Sequence, residues 1–130
     1  MEYYNRLRDH YFLTANPGET AKLDNGTFPG WSRTGESFHV LPTDTMPSNA
    51  NPVCRFYGLP EAGLDSHFFS DQLARCAAVK QKWPTLWIEE SPAVFGTPYI
   101  DRVPGPDCKC LYRLYNNRVA DVRRMPIIAA

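Results

Sequence analysis

Apolar residues along this chain come in short bursts separated by polar turns, never in long runs. "EYYN" at residues 2–5 alternates and is aromatic, which predicts a short strand. A polar turn follows, then "HYFLT", a second strand carrying a histidine and two aromatics. Asn16 is a good N-cap, Pro17 takes the favoured first helical position, and Glu19 stands at capping-box spacing. A short helix is therefore predicted there, ending near "DNG" at residues 24–26. A tryptophan strand over residues 31–40 closes the series. The same order then returns. Phe56 and Tyr57 mark a strand, "SHFF" a second one, and Ser70 caps a helix over residues 71–82 with Leu73, Cys76, Ala77 and Lys80 at helical spacing. Residues 86–95 give the second tryptophan strand. The proline-rich links "LPTDTMPSNANP" and "GTPYIDRVPGPD" read as exposed loops.

Self-similarity at a fixed spacing bears on the whole fold. His10 aligns with His67, Trp31 with Trp87 and Phe38 with Phe95, at offsets of 57, 56 and 57. A third start, "LYRLYNN" at residues 111–117, sets Tyr115 against Tyr57 at an offset of 58. Residues 1–130 are expected to form one domain, with units at about 2–42 and 53–97 and the opening of a third at about 108–120. The expected fold is α+β: short antiparallel strands with one helix in each unit, two full units and a truncated third.

These residues resemble a repeat family of unknown function found in exported bacterial proteins, whose members look like "vYRfYN…dHFyT…E…W…EG.aF" and are appended to peptidases and cell-wall lytic enzymes. Tyr4-Asn5, residues 9–14, Glu19, Trp31 and residues 35–38 match in unit one. Arg55-Phe56-Tyr57, His67-Phe68-Phe69, Trp87, Glu89-Glu90-Ser91 and Val94-Phe95 match in unit two, and residues 111–117 match the start of unit three. The resemblance covers most of residues 2–118. It implies a secreted or cell-surface setting and closure of about three units around a pseudo-threefold core. Two units and a stub would leave an open edge and apolar surface, so self-association into a homo-oligomer is expected. The tail "RVADVRRMPIIAA" departs from the pattern. One frame over, codons for Met-Pro-Ile-Ile-Ala can read Asp-Ala-Asn-His-Arg, the third unit's missing histidine turn, so residues 122–130 are expected to be frame-shifted.

Bulk properties narrow the function. Lys+Arg and Asp+Glu balance at 14 each, so nothing attracts a phosphate backbone by bulk charge and nucleic acid is not an expected partner. No apolar run reaches the roughly 18–20 residues of a membrane span, and no basic start with an apolar core precedes "MEYYN", so neither membrane insertion nor a signal peptide is expected from this chain. Four cysteines, Cys54, Cys76, Cys108 and Cys110, fit disulfides in an exported protein, with three pairings open. "CKC" lacks a second pair to complete a tetrahedral zinc set, so no metal and no cofactor are expected.

His10 and His67 each follow an acid and precede aromatics, which suits a ring N–H that pins a turn. The structural role leads; after it come contact with a ligand, together with Trp31, Trp87, Tyr4, Tyr57 and Arg55, and then catalysis by His10 or His67. An indole or phenol beside polar groups is what a sugar ring stacks on; the same residues inside would be core. Hydrolysis needs a nucleophile beside a base, or opposed carboxylates. Ser37 and His39 stand two apart on one predicted strand face, while Asp9 with Glu19, and Asp65 with Glu89 and Glu90, could supply carboxylate pairs. No G-x-S-x-G elbow is present. The leading expectation is a non-catalytic module of an exported protein that binds glycan or cell-wall polymer; the alternative is a small hydrolase acting on an ester, lactone or glycoside.

Overall fold

A computed structural model describes residues 1–98. The third-unit opening at 108–120, the tail at 122–130, and Cys108 and Cys110 lie outside the described residues. Among the described residues the chain is α+β, with two three-stranded antiparallel sheets and two helices. In order these are β1 (Glu2–Asn5), β2 (His10–Leu13), α1 (Pro17–Asp24), β3 (Trp31–Arg33), β4 (Asn51–Gly58), β5 (Ser66–Ser70), α2 (Leu73–Lys82) and β6 (Trp87–Thr97), with a turn of 3-10 helix at Pro60–Ala62. The strand orders are β2-β1-β3 and β5-β4-β6, so each sheet is a hairpin, a helix, and a third strand on the far edge of the first. None of the helices among the described residues is long and apolar enough to cross a membrane.

The first helix follows its sequence signals. Asn16 Oδ1 accepts the N–H groups of Gly18 and Glu19, Pro17 opens the helix and Asp24 ends it. Glu19 does not complete a capping box, because its carboxylate is held elsewhere. The second helix begins later than the sequence suggests. Ser70 Oγ accepts the Gln72 N–H in a tight turn, Gln72 takes the cap position, and α2 starts at Leu73. Its buried residues are Cys76 and Val79, whereas Leu73 is 64% exposed. The predicted long strand at 31–40 is regular only over Trp31–Arg33.

Each helix covers one face of its own sheet. In the first, Tyr3, Phe12 and Leu23 form the core, with Trp31 packed on Phe12. In the second, Phe56, Phe68, Cys54, Cys76 and Val79 are buried, and a Cys54–Cys76 disulfide ties β4 to α2. Trp87 lies across Gly58, where a Cβ would come within 3.0–3.1 Å of the indole, and its ring meets Phe68.

The registers correct the sequence alignment. Tyr3 pairs with Phe12 and Phe56 with Phe68, so these buried pairs correspond. The hairpin turns span residues 6–9 and 59–65, three residues longer in the second. His67 stands opposite Tyr57, but the residue opposite the corresponding Tyr4 is Tyr11; His10 stands opposite Asn5. The two histidines are thus one strand position apart in correspondence. A one-residue step moves a side chain to the other face of a sheet. His10 shares the helix-covered face with Phe12, and His67 points away from α2.

Candidate functional site

The face of the second sheet that points away from α2 meets the first half of the chain. Arg55, at the centre of β4, is its hub and is buried although charged. Its guanidinium forks onto Glu19 of α1, Nη2 to Oε1 at 2.6 Å and Nη1 to Oε2 at 3.0 Å. Thr14, at the end of β2, donates its hydroxyl to the same Oε2 at 2.5 Å. Arg55 Nε lies 2.7 Å from Glu90 Oε2, an ion pair whose N–H is not aligned as a hydrogen bond. His67 Nε2 lies 3.5 Å from that Oε2. Phe12 closes the cluster, with the guanidinium carbon 4.8 Å above its ring and the His67 ring edge-on at 4.8 Å.

A bulge delivers Glu90. Arg55 pairs with Ser91 while the next residue, Phe56, pairs with Glu89, so two residues of β6 face one of β4. Such a bulge re-aims side chains, and here both Glu90 and Ser91 flank Arg55.

The electrostatics lock these groups. Burial pushes the Glu19 carboxyl up, but Arg55 and Thr14 outweigh it and hold it below the ordinary carboxylate value. Burial acts likewise on Glu90, and His67 and Arg55 likewise bring it below its ordinary value. Burial works against the Arg55 charge, and Glu19 and Glu90 more than restore it. Carboxylates held low are weak bases and are not protonated near neutral pH, so neither suits general acid or base work.

The structure therefore brings together Arg55, His67, Glu19 and Glu90 of the nominated residues and adds Thr14 and Phe12. It separates the others. Asp9 accepts the Tyr4 hydroxyl and Asp65 the Tyr57 hydroxyl, each at 2.7 Å, and both aspartates hold left-handed backbone, φ 54° and 39°. The turn fastener is this tyrosine–aspartate latch. The expectation that histidines pin the turns is overturned for His10, whose side chain makes no hydrogen bond among the described residues. Burial lowers its imidazole pKa, helped by the His67 and Arg8 charges and opposed by Asp65 and Asp9. Glu89 pairs with Lys80 on the α2 side. Asp9 and Glu19 thus serve different partners, as do Asp65, Glu89 and Glu90. Ser37 and His39 are exposed, and their side chains make no hydrogen bond to each other. His39 lines a half-open recess of about 250 Å³ with Met1, Thr14, Ala15, Phe38, Val40 and Phe95. Trp31 and Trp87 are half-buried against the two cores. Among the described residues no group of three metal-ligating side chains gathers.

Sequence reasoning missed Glu90 as part of an ion cluster, because a bulge leaves no mark in alternation. It also missed Tyr11, which the alternation of "HYFL" does signal: with Phe12 inside, Tyr11 must face outward, and it is 57% exposed.

Comparison with family models, with curated proteins and with solved structures finds no match to this chain.

Proposed function

We propose that this chain is a non-catalytic module of an exported protein and that it binds glycan or cell-wall polymer. The observation that carries the reading is the fate of the candidate site groups. Glu19, Glu90, Arg55 and His67 serve the contact between the two sheets, Asp9 and Asp65 latch hairpin turns, and Ser37 and His39 are exposed without touching each other. The Cys54–Cys76 disulfide supports an oxidising, exported setting.

The same proposal includes two copies of one structural unit. Its support is a pair of swapped charges: Asp24 of α1 pairs with Arg33 of β3, and Lys80 of α2 pairs with Glu89 of β6, at corresponding positions. A third unit opening at residues 108–120, closure about a pseudo-threefold axis and self-association belong to this proposal as well.

Incubation with insoluble chitin, cellulose and peptidoglycan tests the function. The chain should deplete onto at least one polymer and release no soluble product, and it should leave nitrophenyl esters, lactones and glycosides intact. Turnover that a single substitution removes would replace this reading with that of a small hydrolase.

A further inference from the structure

A segment after β3 crosses from the first sheet to the second and is tied at both ends. At its start the Thr34 N–H donates to the Glu2 carbonyl and the Glu2 N–H to the Glu36 carbonyl, each at 3.2 Å. At its end Leu41 and Gly96 exchange two backbone hydrogen bonds, at 2.9 and 2.8 Å. A Cβ on Gly96 would stand 2.3 Å from Met46 Sδ and 3.3 Å from Leu41 Cβ, so the chain packs tightly on the end of β6 there. Residues 38–40 are therefore held in place although they belong to no helix or strand.

These three residues form one wall of the half-open recess of about 250 Å³; Met1, Thr14 and Ala15, at the ends of β1 and β2, supply another. Phe95 of β6 completes it, and its ring meets that of Phe38 edge-on at 6.2 Å and 74°. The wall is mostly apolar and holds no carboxylate, ammonium or guanidinium side chain. Its polar groups are largely occupied. The Met1 amine donates to the Thr14 carbonyl at 2.9 Å, and the Thr14 hydroxyl donates to Glu19 and accepts the Asn16 N–H. His39 differs: it is exposed, and its imidazole makes no hydrogen bond or ion pair among the described residues.

We infer that this recess seats one N-acetylated amino-sugar residue, with its acetamido methyl against Phe38 and Val40 and one of its oxygens accepting the His39 ring N–H. The inference rests on the glycan-binding reading and names the class of sugar. Drug-sized ligands occupy roughly 300–1,000 Å³, so a recess of this size suits a single ring. A charged ligand would enter without an opposite charge to meet it. An unsubstituted hexose would turn hydroxyls toward an apolar wall and leave them unpaired, whereas an acetamido methyl suits that wall. An imidazole offers at least one N–H in either protonation state, so His39 can donate whether or not it is charged.

Calorimetric titration of the full chain with soluble chitotetraose and cellotetraose tests the recess. Chitotetraose should bind at least tenfold more tightly, as expected when an apolar pocket gains or loses a methyl-sized group. Ala15→Trp, on an exposed part of the wall, should fill the recess and abolish chitotetraose binding. His39→Ala should weaken binding about tenfold, the usual effect of one lost hydrogen bond. Both variants should melt with the parent, since both positions are exposed. Equal affinity for the two oligosaccharides overturns the N-acetyl assignment. Chitotetraose binding that neither substitution changes overturns the recess as the site; if the parent still depletes onto insoluble polymer, the binding-module reading survives. A parent that binds neither oligosaccharide overturns the recess, and one that also fails to deplete overturns both readings.

Discussion

Tyr57 donates its hydroxyl to Asp65, and Asp65 sits in left-handed backbone that a non-glycine residue holds only with support. Tyr57→Phe removes the donor and keeps the ring. Urea unfolding should show it about 1 kcal/mol less stable than the parent, the usual net worth of one such bond. His10→Ala should cost less than Tyr57→Phe, because His10 makes no hydrogen bond among the described residues. A larger loss for His10→Ala would restore the histidine as the fastener. The acid, histidine and aromatics of both hairpins were legible in the sequence. Their roles were not, because the register depends on turn length, and the second turn is three residues longer than the first. One position of slip put His67 on the junction face and His10 on the core face.

α1 and β6 reach β4 through carboxylates, Glu19 from the helix and Glu90 from the bulge, both onto Arg55. Each carboxyl is held below its ordinary value of 4.5. A depressed folded pKa adds stability that is present above the unfolded value and is lost as pH falls through the folded one. The part of the stability that these two carboxylates supply should therefore be constant above about pH 5, and thermal melts should fall steeply on acidification below about pH 4. Glu19→Gln should start lower and lose less across that window. Equal acid sensitivity in the parent and Glu19→Gln would contradict the account. The first helix was legible because its cap, its proline and its stop are local. The start of the second was not, since Ser70 spends its hydroxyl on the Gln72 N–H two residues on, and helix begins only at Leu73. The cysteine count allowed three pairings, and only the packing of α2 on β4 selects Cys54 with Cys76.

At the scale of the molecule, two sheets of one connectivity meet across a junction of charged groups packed around Phe12. Sequence alternation gave Arg55 no special status, for it sits in an otherwise aromatic strand; what buries it is the approach of Phe12 and α1 from the other half. Whether this cluster holds the fold or performs chemistry is the central question, and Arg55→Met addresses it most directly. Methionine keeps much of the length and removes the charge, leaving Glu19 and Glu90 without their cation. Glu19 and Glu90 side chains are 27% and 32% exposed, which softens the penalty. Urea unfolding should show a loss of about 3 kcal/mol, the low end for breaking a buried ion pair. Under conditions where the variant is folded, polymer binding should equal that of the parent. An Arg55→Met chain as stable as the parent, but unable to bind polymer or stripped of a measurable turnover, would show that the junction is a functional site and that the structural account is wrong.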